Sequence, residues 1–170
     1  MAVTLGYEAL QGALKMGDAI DLLERAFTHE AAGRAYLSPK FVSNFEGGAM
    51  RMLFAADYEA GYSATKTYQN VRGSGARFLV ALYSLKDGEL LALLDGRHIT
   101  DMRTGAASGV VARRVSVPGP VTVGLIGSGH QARAQLECLA AVYRIARATV
   151  YSPTQGNREA FARDGEHDRD

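Results

Sequence analysis

Gly127, Ser128, Gly129, His130, Gln131 and Ala132 follow the apolar run Val121–Ile126 and lead into Ala132–Leu139, whose apolar residues have helical spacing. Strand, glycine turn and helix in that order suit the pyrophosphate of a dinucleotide. Gly127 allows the tight turn and Gly129 lets the backbone approach the phosphates. Ala132 takes a third small position, where helix packs on strand, and the amides opening the helix face the negative charge. An ordinary glycine turn between a strand and a helix reads the same way over these six residues. The flanking apolar run and helical pattern favour the cradle over the plain turn.

A second set of residues is cationic or hydroxylic. Lys66 stands among Tyr62, Ala64, Thr65 and Tyr68, where strand alternation can bury its stem. Arg103, Thr104 and Ser108 lie together in Thr100–Ser108, a run rich in small residues. By themselves Lys66 and Arg103 each read more often as a solvated surface cation, Lys66 about as readily as a plain salt-bridge partner, and the two hydroxyls read evenly as groups satisfied by a helix backbone. Other chemistry finds no support. His29, His98, His130 and His167 never pair at the spacing that puts two metal ligands on one helical face, so no metal site is expected. Cys138 is the single cysteine and is expected to be buried packing.

Among the elements that must hold these residues, the first is a helix running to Arg34, which Asp18 is placed to cap, with Ile20, Leu23, Phe27 and Ala31 on one face. Short β-like runs follow at 40–45, 49–56, 62–68, 77–85 and 89–94, and Lys86–Glu89 is expected to form a tight hairpin turn of the primed type around Asp87-Gly88. Thr100 or Asp101 should cap the next helix, which contains Met102, Ala106, Ala107, Val110 and Val111. The cluster Val117-Pro118-Gly119-Pro120 ends it and marks the best domain boundary. Then come a strand, the glycine turn, a helix, a strand at 148–151 and a short helix from about Asn157, the opening of a βαβ unit. The pattern stops at the charged tail 163–170, so the chain is expected to end inside a domain whose sheet needs more strands.

The 170 residues carry a formal net charge of +1, which gives no electrostatic footprint for nucleic acid or an anionic membrane surface. No apolar run approaches the length of a membrane span and no secretory signal opens the chain, so a cytoplasmic protein is expected.

Taken together, Lys66, Leu91–Gly96, Thr100–Ser108 and Ile126–Ala132 resemble, in order and spacing, the ornithine cyclodeaminase/mu-crystallin family. The resemblance covers nearly the whole chain but only the first half of a typical member. It implies an α/β fold in which an N-terminal substrate-binding and dimerisation domain, here residues 1–117 with the linking helix, precedes a Rossmann NAD(P)-binding domain, here the incomplete 118–170. It further implies hydride transfer at the α-carbon of an amino acid or its imine, as in ornithine cyclodeaminases, amino acid dehydrogenases and ketimine or pyrroline-carboxylate reductases. Lys66 and Arg103 match the family cations that grip the substrate carboxylate, and Thr104 matches a residue that helps hold the cofactor phosphates. A small amino acid or cyclic imine is the implied substrate, and a homodimer the implied assembly.

The sequence departs from the family pattern in several places. An earlier family arginine aligns with Lys40, the family Met-Pro pair appears as Leu53-Phe54, and Arg51 is an additional cation expected to be solvated. An acid/base aspartate of the family falls beyond Asp170, which leads to the expectation of a truncated product with impaired activity. Preference for NAD commonly requires an acidic residue roughly 20 residues after the glycine loop. Here Tyr151-Ser152-Pro153-Thr154 stands at that place, and Ser152, Thr154, Asn157 and Arg158 can donate to an extra phosphate, so the balance favours NADP over NAD. Two other readings stay open: a mu-crystallin-like NADPH-binding protein without turnover, and a non-catalytic remnant that only dimerises.

Overall fold

A computed structural model describes residues 1–115 and 117–167, so Asp168, Arg169 and Asp170 of the charged tail lie outside the described residues. The chain forms two compact units: Met1–Leu14 with Glu24–Thr100, and Lys15–Leu23 with the chain from Asp101 onward.

In the first unit, strands β1 (Val3–Leu5), β2 (Ala35–Leu37), β3 (Phe41–Phe45), β4 (Gly48–Asp57), β5 (Tyr62–Val71), β6 (Gly75–Ser84) and β7 (Leu90–Asp95) form one sheet of order β1-β7-β6-β5-β4-β2, with β3 also paired to β4. All pairings are antiparallel except β1 with β7, which is parallel. The five expected β runs become β3 to β7, each within a few residues of its expected bounds. β1 and β2, three residues each, and α1 (Tyr7–Leu10) are not foreshadowed in the sequence, because segments so short carry no periodicity of their own.

The β6–β7 turn corrects one expectation. A type I′ turn needs positive φ at both central residues, but among the described non-glycine residues none has positive φ, and only Gly88 (φ 76) departs here. The chain instead closes a longer loop in which the Ser84 N–H donates to Glu89 O and the Gly88 N–H to Ser84 O, both at 3.0 Å.

Helix α2 is Met16–Ala31, and Asp18 sits inside its first turn, at the positive end of the helix dipole, rather than capping it. Helix α3 (Gly96–Arg114) also begins before its expected start. Asp95, the last residue of β7, accepts the Arg97 N–H at 2.8 Å and so satisfies an opening donor, leaving Thr100 a full turn inside the helix.

The second unit contains β8 (Val121–Ile126), α4 (His130–Val142), β9 (Ile145–Tyr151) and α5 (Gln155–His167), with β8 and β9 parallel. This is the expected βαβ opening, although α5 continues through residues expected to belong to the charged tail. Its core gathers Met16, Ile20, Met102, Ala106, Val123, Ala134, Cys138 and Phe161. Two α3 glycines make that packing possible. A Cβ on Gly105 would stand 2.5 Å from the Ala134 carbonyl oxygen, and one on Gly109 would stand 2.6 Å from Ile20 Cδ1 and 2.8 Å from Cys138 Sγ. No helix among the described residues is long and apolar enough to cross a membrane.

Candidate active-site residues

Lys66 lies mid-strand in β5, half-buried, and pairs with Leu53 of β4 and Val80 of β6. Its ammonium donates to Thr100 Oγ1 at 3.1 Å and stands 5.5 Å from the Phe78 ring centroid and 5.8 Å from that of Tyr68. Thr100 Oγ1 in turn donates to the Gly96 carbonyl at 2.5 Å. The hydroxyl proton is thereby committed to the helix backbone, and the oxygen accepts from lysine. Thr100 is therefore an orienter of Lys66 and not the cap its sequence context suggests. That role has no sequence signal, because the two residues are far apart along the chain. The aromatic floor favours a cation electrostatically while removing part of its water.

The remaining sequence candidates belong to the second unit. Arg103 is exposed on α3, and Thr104 and Ser108 are partly buried on the same helix. The Thr104 carbonyl accepts Gln135 Nε2 at 3.2 Å, and Asp101 accepts the side-chain amide of Gln131. The glycine loop thus has its helix tied to α3 at two places.

At the loop itself, Gly127 adopts φ 109, where a side chain is strained, and its N–H donates to Tyr151 O at 2.7 Å. Ser128 and Gly129 connect it to α4. Gly129 is the N-cap and therefore offers no side-chain cap to the helix, whose first backbone bond runs from the Arg133 N–H to Gly129 O at 3.3 Å. The amides of His130, Gln131 and Ala132 precede that bond, and a Cβ at Gly127 or Gly129 would meet nothing within 4 Å. An uncapped helix start with open space before it meets the steric and electrostatic needs of a diphosphate.

The residues expected to sense an extra phosphate divide. Ser152, directly after β9, is buried, whereas Thr154 and Asn157 are exposed. Arg158, in the first turn of α5, donates through Nη1 to the Ser152 carbonyl and to the Pro153 carbonyl at 3.3 Å. Its guanidinium is fixed at the end of β9, with its other nitrogens left to act. Cys138 lies fully buried between helices, and burial pushes its thiol pKa up, the reverse of what a nucleophile needs.

The sequence profile of the ornithine cyclodeaminase/mu-crystallin family matches residues 3–169. The chain is 33% identical over 163 residues to alanine dehydrogenase of Archaeoglobus fulgidus, covering 92% of this chain and 50% of that protein. It superposes with TM-score 0.92 and 28% identity on Thermococcus litoralis Δ1-pyrroline-2-carboxylate reductase in complex with NADH and L-proline, covering 98% of this chain and 54% of that one. With an archaeal alanine dehydrogenase dimer with bound NAD the TM-score is 0.91 at 29% identity, covering 99% of this chain and 54% of that one. The chain thus spans about half the length of the relatives it matches. On the profile match and on this likeness over nearly all of its residues, the chain belongs to the ornithine cyclodeaminase/mu-crystallin family.

Proposed function

We propose that this chain supplies the substrate-carboxylate grip and the cofactor-pyrophosphate cradle of an NAD(P)-dependent oxidoreductase acting at the α-carbon of a small amino acid or its cyclic imine. The observation that carries the reading is the uncapped start of α4 behind Gly127 and Gly129. The residues of the loop, Gly127 to Ala132, would hold the pyrophosphate through backbone amides, and Thr104 would add a hydroxyl. A bound nicotinamide would supply the acceptor or donor of hydride. The chain's own part in the chemistry is positioning: Lys66 and Arg103 hold the carboxylate so that the α-carbon presents one face. Thr100 and the rings of Tyr68 and Phe78 fix the lysine head in a single place.

NADP is the preferred cofactor in this reading. No carboxylate stands at Ser152-Pro153-Thr154 directly after β9, and Arg158 is held there by two carbonyls with donors to spare, aided by Thr154. Ser152 contributes through its carbonyl, since its side chain is buried. The functional division is at Val117–Pro118, with residues 1–117 for substrate and assembly and 118–170 for cofactor.

A homodimer is the proposed assembly. Phe41, Met52, Thr67 and Leu79 are in register across β3 to β6 on one sheet face, and the three apolar members are 61%, 42% and 46% exposed. A contiguous apolar row of that kind suits contact with a second copy. Light scattering after gel filtration should give twice the chain mass.

Thermal melting in the presence of nucleotide tests the central reading. A ligand at 100 times its Kd stabilises the folded state by about 2.7 kcal/mol. NADPH should raise the melting temperature, and NADH should need a higher concentration to do the same. The absence of any shift with either nucleotide at saturating concentration would refute the cradle, and a stronger effect of NADH would refute the NADP preference.

A further inference from the structure

A carboxylate stands where α3 meets the start of α4. Asp101 and Gly105 are four residues apart on α3, and Gln131 and Gln135 are four apart on α4, so each pair shares a face of its helix. Contacts match the two faces along the crossing. Asp101 Oδ1 accepts Gln131 Nε2, the Thr104 carbonyl accepts Gln135 Nε2 at 3.2 Å, and Gly105 lets the Ala134 carbonyl come so near that a Cβ would stand 2.5 Å from its oxygen. In this series Asp101 and Gln131 are the members nearest the glycine loop.

Gln131 is the second residue after the N-cap Gly129, and no side chain caps α4. The opening amides of a helix lack partners within it, and a first-turn glutamine has an amide oxygen able to reach back to them, as in a capping box. Such a bond would fill the space that a diphosphate needs. A carboxylate only accepts, so the Nε2 end of Gln131 faces Asp101 and its side chain is drawn toward α3 instead of back over its own helix start. Hydrogen bonds to an ionised acceptor are about twice as strong as neutral ones, so the carboxylate outcompetes the backbone for this side chain.

We infer that Asp101 is a positioning residue for the cofactor diphosphate: it holds Gln131 off the opening of α4 and keeps the amides of His130, Gln131 and Ala132 open to the ligand. The inference rests on the cradle proposed above and names what keeps that cradle clear. The charge of Asp101 has the same sign as the ligand's, so its contribution comes through Gln131 and not through direct attraction.

Calorimetric titration of the full chain with ADP, which carries the diphosphate, and with adenosine, which lacks it, reads this role. Asp101→Ala releases Gln131 and should weaken ADP binding about 3- to 10-fold, the span of a side-chain cap that the ligand must then displace, with adenosine binding unchanged. Asp101→Asn keeps an acceptor for Gln131 without the like charge, so it should bind ADP at least as tightly as the unaltered chain. Combining Asp101→Ala with Gln131→Ala removes the competing cap and should recover the affinity lost in Asp101→Ala alone. A merely structural Asp101 predicts the reverse, with equal losses for both probes and no recovery in the double variant. If Asp101→Ala binds ADP within twofold of the unaltered chain, if Asp101→Asn loses as much as Asp101→Ala, or if the double variant does not recover, the inference is overturned and the cradle stands. If the unaltered chain binds ADP no more tightly than adenosine, the cradle falls and the inference falls with it.

Discussion

Gly105→Ala should destabilise the second unit although alanine is the better helix former. Replacing a helical glycine by alanine gains about 1 kcal/mol in an open setting. At Gly105 the setting is closed: the new Cβ would stand 2.5 Å from Ala134 O, 3.0 Å from Ala134 C and 3.1 Å from Met16 Cε. The methionine end can swing away, but the carbonyl belongs to α4 and can retreat only if that helix moves. Restoring ordinary contact requires a displacement of about 1 Å, which opens gaps along the interface at Cys138. Overpacking of this kind costs about 1–3 kcal/mol. With a rigid backbone as the obstacle the upper figure applies, and the net loss is about 2 kcal/mol. At roughly 3 °C per kcal/mol for a chain of this size, the melting temperature should fall by about 6 °C. Gly17→Ala provides the opposite sign, since Gly17 is helical, lies in α2 and has nothing within 4 Å of where the alanine Cβ would stand. It should gain up to about 1 kcal/mol. Both variants are read by calorimetry or circular dichroism melts. A Gly105→Ala protein as stable as the unaltered chain, or more so, would refute the close-approach account of the small residues in α3.

Three further outcomes follow from other contacts. The Ala60 N–H, at 2.9 Å, is the main cause holding the Asp57 pKa below the ordinary carboxylate value, with His29 at 2.8 Å and the Glu59 N–H adding to it. Its stabilising contribution is therefore complete above the unfolded pKa of about 3.9 and is lost as pH falls through the lower folded value. Asp57→Asn should flatten the decline of melting temperature with acid, and an unchanged slope below about pH 4 would count against that role. Cys138 should resist alkylation by iodoacetamide in the native state and label rapidly in denaturant, whereas native labelling at the free-thiol rate would show that the α3–α4 packing is wrong. Tyr143→Phe removes the hydroxyl that donates to Val115 O at 2.7 Å and to Ala112 O, the end of α3, and should cost about 1 kcal/mol in melts.

Much of the architecture is written locally. The β meander from Phe41 to Asp95 is legible because its strands combine β-branched and aromatic residues with glycine and Asp-Gly breaks. The glycine loop is legible because its three small positions, the strand before it and the helix after it fall within one continuous segment. Lys66, Arg103 and Thr104 stand out only by resemblance, and strand periodicity alone says no more than that Lys66 has a buried stem.

Other features depend on residues remote in sequence. Thr100 is a helix residue that orients Lys66 because Asp95 starts α3 a turn earlier than the sequence pattern indicates, a choice made where β7 ends. β1 exists only as a parallel partner of β7, its three residues having too little pattern to announce a strand. Arg51 acquires a buried, unmatched nitrogen only when register sets it opposite Tyr68 and diagonal to Lys66. Strand alternation, turn chemistry and helix spacing are properties of neighbouring residues and determine the element types and the glycine loop. Register and long-range pairing are decided by which faces can be buried together, so the company each cation keeps, and with it the chemistry it can do, is settled only by the tertiary structure.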